Sequence, residues 1–316
     1  MFLFPIADLH CDLLAYLAED NHRKLDHPES RCSTLQMKTG NVQLQTLAVF
    51  TETIPTSLTT GRKQLDAYKK FSPSINIHTQ TFYAFENASG FCDEIESIDN
   101  GLQRLQTYLD DYGSPLYVGF TWKEENRFGG GNLTHVGLKE DGKRLLELLF
   151  EKKIAVDFSH TSDQLAEDLL QYIEQNCPKH PVLASHSNFR AIQKHPRNLP
   201  DWLALEIIQR KGLIGLNFLK TFIGKSYLDL CAHIDYGLKL GAEKQLCFGA
   251  DFFYDDLITE SAQALHTDGL FFEELSDASK YQRFLDDIVK EKQYDANLLK
   301  SLSAENVLSW PFLPTK

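Results

Sequence analysis

The stretch IAVDFSHTSDQLAEDLLQYIEQNCPKHPVLASHS, residues 154–187, holds two short apolar runs with a helical pattern between them. IAVDFSH (154–160) and PVLASHS (181–187) are short, mostly apolar and bounded by turn residues, as expected of strands buried on both faces of a parallel sheet. The intervening TSDQLAEDLLQYIEQN opens on Thr161-Ser162-Asp163, a set of N-cap residues, and carries apolar side chains at helical spacing. Strand, helix, strand is the repeating unit of an α/β fold. Both strands run out into a histidine, His160 and His186.

The unit recurs in both directions along the 316 residues. Before it lie FPIADLH (4–10), LQTLAVFT (44–51), TFYAFEN (81–87) and LYVGFT (116–121); after it come LIGLNFL (213–219) and QLCFGADF (245–252). Helical patterns separate them, among them SIDNGLQRLQTYLDDY, opened by Ser97, and LPDWLALEIIQRKG, closed by Gly212. Eight strands alternating with helices predict a (β/α)8 TIM barrel. No Pro/Gly/Ser linker or break in composition divides the chain, so residues 1–316 read as a single catalytic barrel domain. The connection over 11–43 and the tail from about residue 253 are the least regular parts. Helices are expected in the tail segments ASKYQRFLDDIVKEK and DANLLKSLSAENVLSW.

A formal net charge of −12 argues against a nucleic-acid partner, which needs a basic face. No apolar run approaches the roughly 20 residues of a membrane-spanning helix. MFLFPIADLH lacks the basic and long apolar regions of a secretion signal. The cysteines (Cys11, Cys32, Cys92, Cys177, Cys231, Cys247) form no CxxC pair and suit reduced thiols. Together these predict a cytoplasmic protein without a membrane anchor.

Active sites of such barrels lie at the C-terminal strand ends. Here those ends carry His10 followed by Asp12, Glu86-Asn87, Asp157 and His160, His186, and Asp251. One histidine near a strand end is ordinarily a satisfied surface or core residue. Five polar ends on one rim would gather unpaired charge, which is costly unless a cation pairs it. Three histidines with carboxylates match the donor preference of zinc and similar ions. In His10-Cys11-Asp12, strand alternation would face the outer two towards the barrel axis and turn Cys11 away. Asp157 reads as structural support rather than as a ligand.

The segments DLHCD, GLKEDGKRLLELLFEKKIAVDFSH, PVLASHSNFRAIQKHPRNLPD, GLIGLNF and LCFGADF, in this order, resemble the renal (membrane) dipeptidase family, peptidase family M19, zinc hydrolases of the amidohydrolase superfamily. The resemblance spans nearly the whole chain. It implies that His10 and Asp12 bind one divalent metal ion, that His160 and His186 bind a second, and that Glu86 bridges them, with zinc the expected ion at both. It also implies that Arg197 holds the substrate carboxylate, a task suited to a bidentate guanidinium. Asp251 would handle protons beside a hydroxide bridging the two ions. The implied substrate is a small dipeptide, with a D-residue accepted at its C-terminal position, and the resemblance leaves room for a homodimer.

There are departures. Trp122 stands where animal members have a histidine that assists the tetrahedral intermediate; we read it as part of the substrate-binding wall. His135 is the nearest substitute for that histidine. Gly129-Gly130-Gly131 lacks the Lys-Ser/Thr of a phosphate loop and reads as a flexible segment near the mouth. Phe252-Phe253 follows Asp251 where the family usually has a second acidic residue. The alternatives are another amidohydrolase reaction, on a small carboxylate-bearing amide or lactam, and an inactive barrel kept for binding. An inactive barrel is expected to have lost ligands, and this chain retains all five. A carbamylated-lysine site has no candidate, since no lysine ends any of the eight strands except Lys220, which lies beyond strand seven.

Overall fold

Eight parallel strands close into a barrel in chain order in the computed structural model, which describes residues 3–257 and 269–314. They are β1 (Ile6–Cys11), β2 (Val42–Val49), β3 (Gln80–Phe85), β4 (Tyr117–Gly119), β5 (Ala155–Asp157), β6 (Val182–Ala184), β7 (Leu213–Leu216) and β8 (Leu246–Phe248). All eight expected strands are present. The barrel seam is the parallel pairing of β1 with β8 at Asp8 and Phe248. Several strands are shorter than their apolar runs, so His160, His186 and Asp251 sit just past the ends of β5, β6 and β8.

The helices pack outside with one apolar stripe inward. Helix Asp163–Asn176 buries Leu165, Ala166, Leu169, Leu170 and Ile173, and Ser162 caps it by accepting the Leu165 N–H. Burying each leucine stabilises by about 1.5–3 kcal/mol. Inside the barrel, Ala7, Leu9, Leu44, Phe82, Tyr117, Leu183, Leu213 and Cys247 form a second apolar cluster. The C-terminal tail fills the floor of that cluster with Ala304, Val307 and Trp310. The Trp310 indole N–H donates to the Lys211 carbonyl at 3.1 Å. The tail is helical over Ala296–Lys300 and Asn306–Leu308, with a π-helical turn between them over Ser301–Glu305.

Strand β1 corrects the simple alternation expected for His10 and Asp12. Its register runs from Asp8 opposite Gln45 to Cys11 opposite Leu47, three steps against two. This extra residue is a bulge. Leu9 packs inside the barrel, Cys11 joins the outer core, and His10 is aimed at the mouth. Asp12 lies off the strand, at the N-cap of helix Leu13–Glu19. Both side chains still reach the mouth, one through the bulge and one through the turn.

Buried Asp8 braces the bulge. It accepts from His10 N (2.8 Å), Gln45 Nε2 (2.9 Å), Ala250 N (2.9 Å) and the Tyr281 hydroxyl of the outer helix Tyr281–Lys292. Tyr281→Phe removes one donor from a buried carboxylate. Urea denaturation is expected to show a loss of about 1.5–3 kcal/mol.

Candidate metal centre

The mouth brings the five expected ligands and Asp251 together. Glu86 Oε2 lies 3.5 Å from His10 Nε2. Glu86 Oε1 lies 3.1 Å from His160 Nε2 and 3.7 Å from His186 Nε2. His10 Nε2 is 3.9 Å from Asp12 Oδ2 and 3.6 Å from Asp251 Oδ1. Three overlapping sets arise, His10/Asp12/Glu86, Glu86/His160/His186 and His10/His186/Asp251, each with its donor atoms within 4.8 Å of one another. Glu86 belongs to two of them and turns a different oxygen to each.

Hydrogen bonds behind the rings decide which nitrogen faces the mouth. Tyr117 donates its hydroxyl proton to Leu9 O (3.1 Å), so it accepts from His10 Nδ1 (2.7 Å). Ser185 Oγ donates to Asp157 Oδ2 (2.5 Å) and accepts from His186 Nδ1 (2.6 Å). Asn132 Oδ1 accepts from His160 Nδ1 at 3.2 Å. We assign the proton of each ring to Nδ1 on these partners, which leaves three Nε2 lone pairs pointing inward. The Nε2 atoms of His160 and His186 then face each other at 3.1 Å with no proton between them. His10 Nε2, Asp12 Oδ1 and Glu86 Oε2 are buried without a hydrogen-bond partner among the described residues. Such atoms are expensive to bury unless something coordinates them. The donor set therefore fits divalent metal ions, and its mixture of imidazole and carboxylate suits zinc.

Tyr117, Ser185 and Asn132 escaped the sequence reading. Tyr117 looks like any strand aromatic. Ser185 adjoins His186, and that adjacency was the one usable signal. Asp157 accepts from Ser159 N, Ser185 N and Ser185 Oγ, and so orients His186 from behind. Ser185→Ala and Tyr117→Phe are each expected to weaken metal binding about 10–100-fold with the fold intact. Competition against a metallochromic chelator measures this.

Electrostatics agrees with the geometry. Burial lowers His160 and His186 well below the ordinary imidazole range, keeping them neutral and able to ligate. Burial raises Asp12 well above the usual carboxyl range, with the charge of Glu86 adding to it. Burial also pushes Glu86 up to about 8, against the pull of Arg197, and Asp251 up to about 6, against His10. Below its unfolded pKa Glu86 is protonated in both states. As pH rises through about 8, its buried proton is lost and folding stability with it. The histidine shifts act below about pH 6.5 and stay outside this window. The thermal midpoint of the chelator-treated protein is thus expected to fall between pH 7 and pH 8.5. Saturating zinc should abolish that fall, because the cation replaces the proton. Differential scanning fluorimetry with and without zinc reads both.

Two site residues adopt left-handed backbone, His160 (φ 67°) and Asp251 (φ 63°). Non-glycine residues held there cost on the order of 1 kcal/mol each and cluster at functional sites. Asp251 is fixed by its N–H to His10 O (3.1 Å) and by Asn217 Nδ2 donating to its Oδ2 (2.8 Å). This turns Oδ1 towards His10.

A cavity of about 260 Å³ opens over the centre, walled by Asp12, Glu86, His160 and Asp251 together with aromatic side chains. Trp122 is in this wall, edge-on to Phe50 at 4.9 Å and 6.3 Å from the His160 ring. Phe253 is there too. Arg197 is 4% exposed and sits against the two histidines. Its guanidinium donates to Ser187 Oγ (2.7 Å), His186 O (2.9 Å) and His160 Nε2 (3.2 Å). His135 is exposed and does not line the cavity. The glycine run is not a loose segment. All three glycines are buried, and a Cβ on Gly131 would fall 2.0 Å from the Trp122 carbonyl oxygen. Only glycine lets that strand of loop pass behind Trp122.

A closed (β/α)8 barrel with such a donor cluster at its C-terminal mouth carries a candidate metal centre where barrels of this class place their active sites. Residues 1–309 match the family model described as "Membrane dipeptidase (Peptidase family M19)", and the chain belongs to that family. Among curated proteins it is similar to an uncharacterised dipeptidase of Schizosaccharomyces pombe, 22% identical over 96% of this chain and 80% of the relative. Uncharacterised proteins of Acinetobacter calcoaceticus (32% identical over 34% of this chain) and Klebsiella pneumoniae (29% over 43%) also match. The chain spans 35% and 54% of the lengths of those two. Among solved structures, a metallopeptidase from Rhodobacter sphaeroides, liganded with a phosphinate mimic of the dipeptide L-Ala-D-Ala, superposes with a TM-score of 0.77 at 18% identity, covering 96% of this chain and 97% of its own. An amidohydrolase from Pseudomonas aeruginosa follows at 0.72 and 16%, covering 96% and 94%. Among the described residues of this chain, no helix is long and apolar enough to cross a membrane.

Proposed function

We propose that this chain, acting as one catalytic unit over residues 1–316, is a dipeptidase that uses two divalent ions, zinc by preference. It would hydrolyse the amide bond of short dipeptides, including those with a D-residue at the C-terminal position. The observation that carries this reading is Glu86, whose two oxygens face two different histidine sets. His10 and Asp12 would hold one ion, His160 and His186 the other, and Glu86 would serve both. Ions seated there would supply an activated water at neutral pH and polarise the scissile carbonyl.

The remaining work falls to the side chains. Asp251, turned towards His10 at the mouth, accepts a proton from the attacking water and returns it to the leaving amine. Arg197 has Nε on His160 Nε2, the atom that a metal ion would claim. With that acceptor taken, Nε is left for the substrate carboxylate. Trp122 and Phe50 enclose the substrate on the open side and keep bulk water from the centre. Support for a dipeptide comes from the family and from the mimic bound by the Rhodobacter sphaeroides metallopeptidase. The six free cysteines support a cytoplasmic setting.

Protein purified without chelator is expected to carry about two divalent ions per chain. It should cleave members of a dipeptide panel that varies both residues and the chirality of the second. Near-zero metal in a folded sample would overturn the two-ion reading.

A further inference from the structure

The cavity over the centre contains two charges that neither the ligand set nor the proton transfer uses. Two charged wall residues stand outside that machinery, Glu52 and Lys123. The Lys123 ammonium rests over the Trp122 ring, 4.4 Å from its centroid. Glu52 is half-buried, and its carboxylate has neither an ion pair nor a hydrogen bond among the described residues. It also lines an adjoining groove of about 330 Å³, so that Phe50, Glu52 and Leu257 form the seam between groove and cavity. Glu52 lines the cavity but belongs to none of the three ligand sets, so a substrate group that meets it lies away from the candidate metal centre.

The order of strands says which part. Arg197 lies against His160 and His186, on the side of β5 and β6. Glu52 follows β2, between the ends of β1 and β3. A substrate with its carboxylate towards Arg197 therefore points its N-terminal residue towards Glu52. We infer that this N-terminal residue carries a long cationic side chain, lysine- or arginine-like, whose charge is met by Glu52; the inference rests on the dipeptidase reading above.

The physical chemistry is consistent along the whole side chain. An aliphatic stem lies against apolar wall such as Phe50 and Leu257 while its charged head reaches the seam. A half-buried carboxylate without a partner gains from a cation, and nearby aromatic faces add attraction. The net charge of −12 raises the local concentration of cationic substrates.

The test uses the full chain loaded with zinc. Hydrolysis of Lys-Ala, Ala-Ala and Glu-Ala is compared, and calorimetry gives Kd for phosphinate analogues of the same three. The wild type is expected to favour Lys-Ala over Ala-Ala by at least about tenfold in kcat/KM, mostly through KM. Glu52→Gln should collapse that ratio, and Glu52→Lys should invert it in favour of Glu-Ala. A Lys/Ala ratio that neither variant changes overturns the assignment. If the wild type hydrolyses none of the three, the dipeptidase reading fails, and the calorimetric ratios alone decide Glu52.

Discussion

Glu86→Gln is expected to lower bound metal from about two ions per chain to one or fewer and to reduce hydrolysis at least about 10³-fold, on the order of 4 kcal/mol of transition-state stabilisation. Glutamine keeps the shape of the side chain but exchanges one oxygen for an NH2 group, which donates and cannot ligate. Because Oε2 faces His10 and Oε1 faces His160 and His186, either orientation of the amide spoils one of the two sets. The fold should survive. Without metal the variant should be more stable than the wild type above pH 8, since burial pushes the Glu86 carboxyl up to about 8 and the amide has no proton to lose. Elemental analysis, turnover and melting curves separate these outcomes. Two ions retained with undiminished turnover would remove Glu86 from the centre.

Asp251→Asn is expected to behave differently. Metal content should stay near that of the wild type, while kcat falls about 10²–10⁴-fold, the range for loss of a positioned general acid–base. Asparagine is the informative choice because it tolerates the left-handed backbone held at residue 251 and can still pair with Asn217. The acidic limb of the kcat/KM profile, set in the wild type by protonation of the Asp251 carboxylate, should disappear with it. Loss of one ion in this variant would mean that Asp251 acts chiefly as a ligand alongside His10 and His186, a grouping the geometry also allows.

The barrel was legible because parallel strands buried on both faces leave continuous apolar runs, and each run here ends on turn or polar residues. The candidate ligands were legible for a related reason. His160, His186 and Glu86 each end an apolar segment, and it is their gathering with the other polar ends on one rim, not any single one, that points to a cation. The supporting atoms were not. Tyr117 orients His10 across 107 residues of chain, and no local pattern encodes such a contact. The bulge in β1 was invisible too, since it arises from pairing with β2 and not from composition. Strand alternation led to the correct orientation of His10 for the wrong reason. The glycine run beside Trp122 misled in the other direction, because glycine marks close packing as often as looseness.

The floor of the barrel bears on how the protein is made. A ribosome releases His10 early and Trp310 some 300 residues later, which at about 5–20 residues per second is on the order of 15–60 s. For most of that interval β1 has no β8 to pair with, and until its end the interior cluster lacks Trp310. His10 and Glu86 therefore cannot be set in their final geometry on the nascent chain. Stable metal capture is thus expected only after Trp310 has been made, and a product stopped short of it would carry every candidate ligand above an unfilled barrel floor.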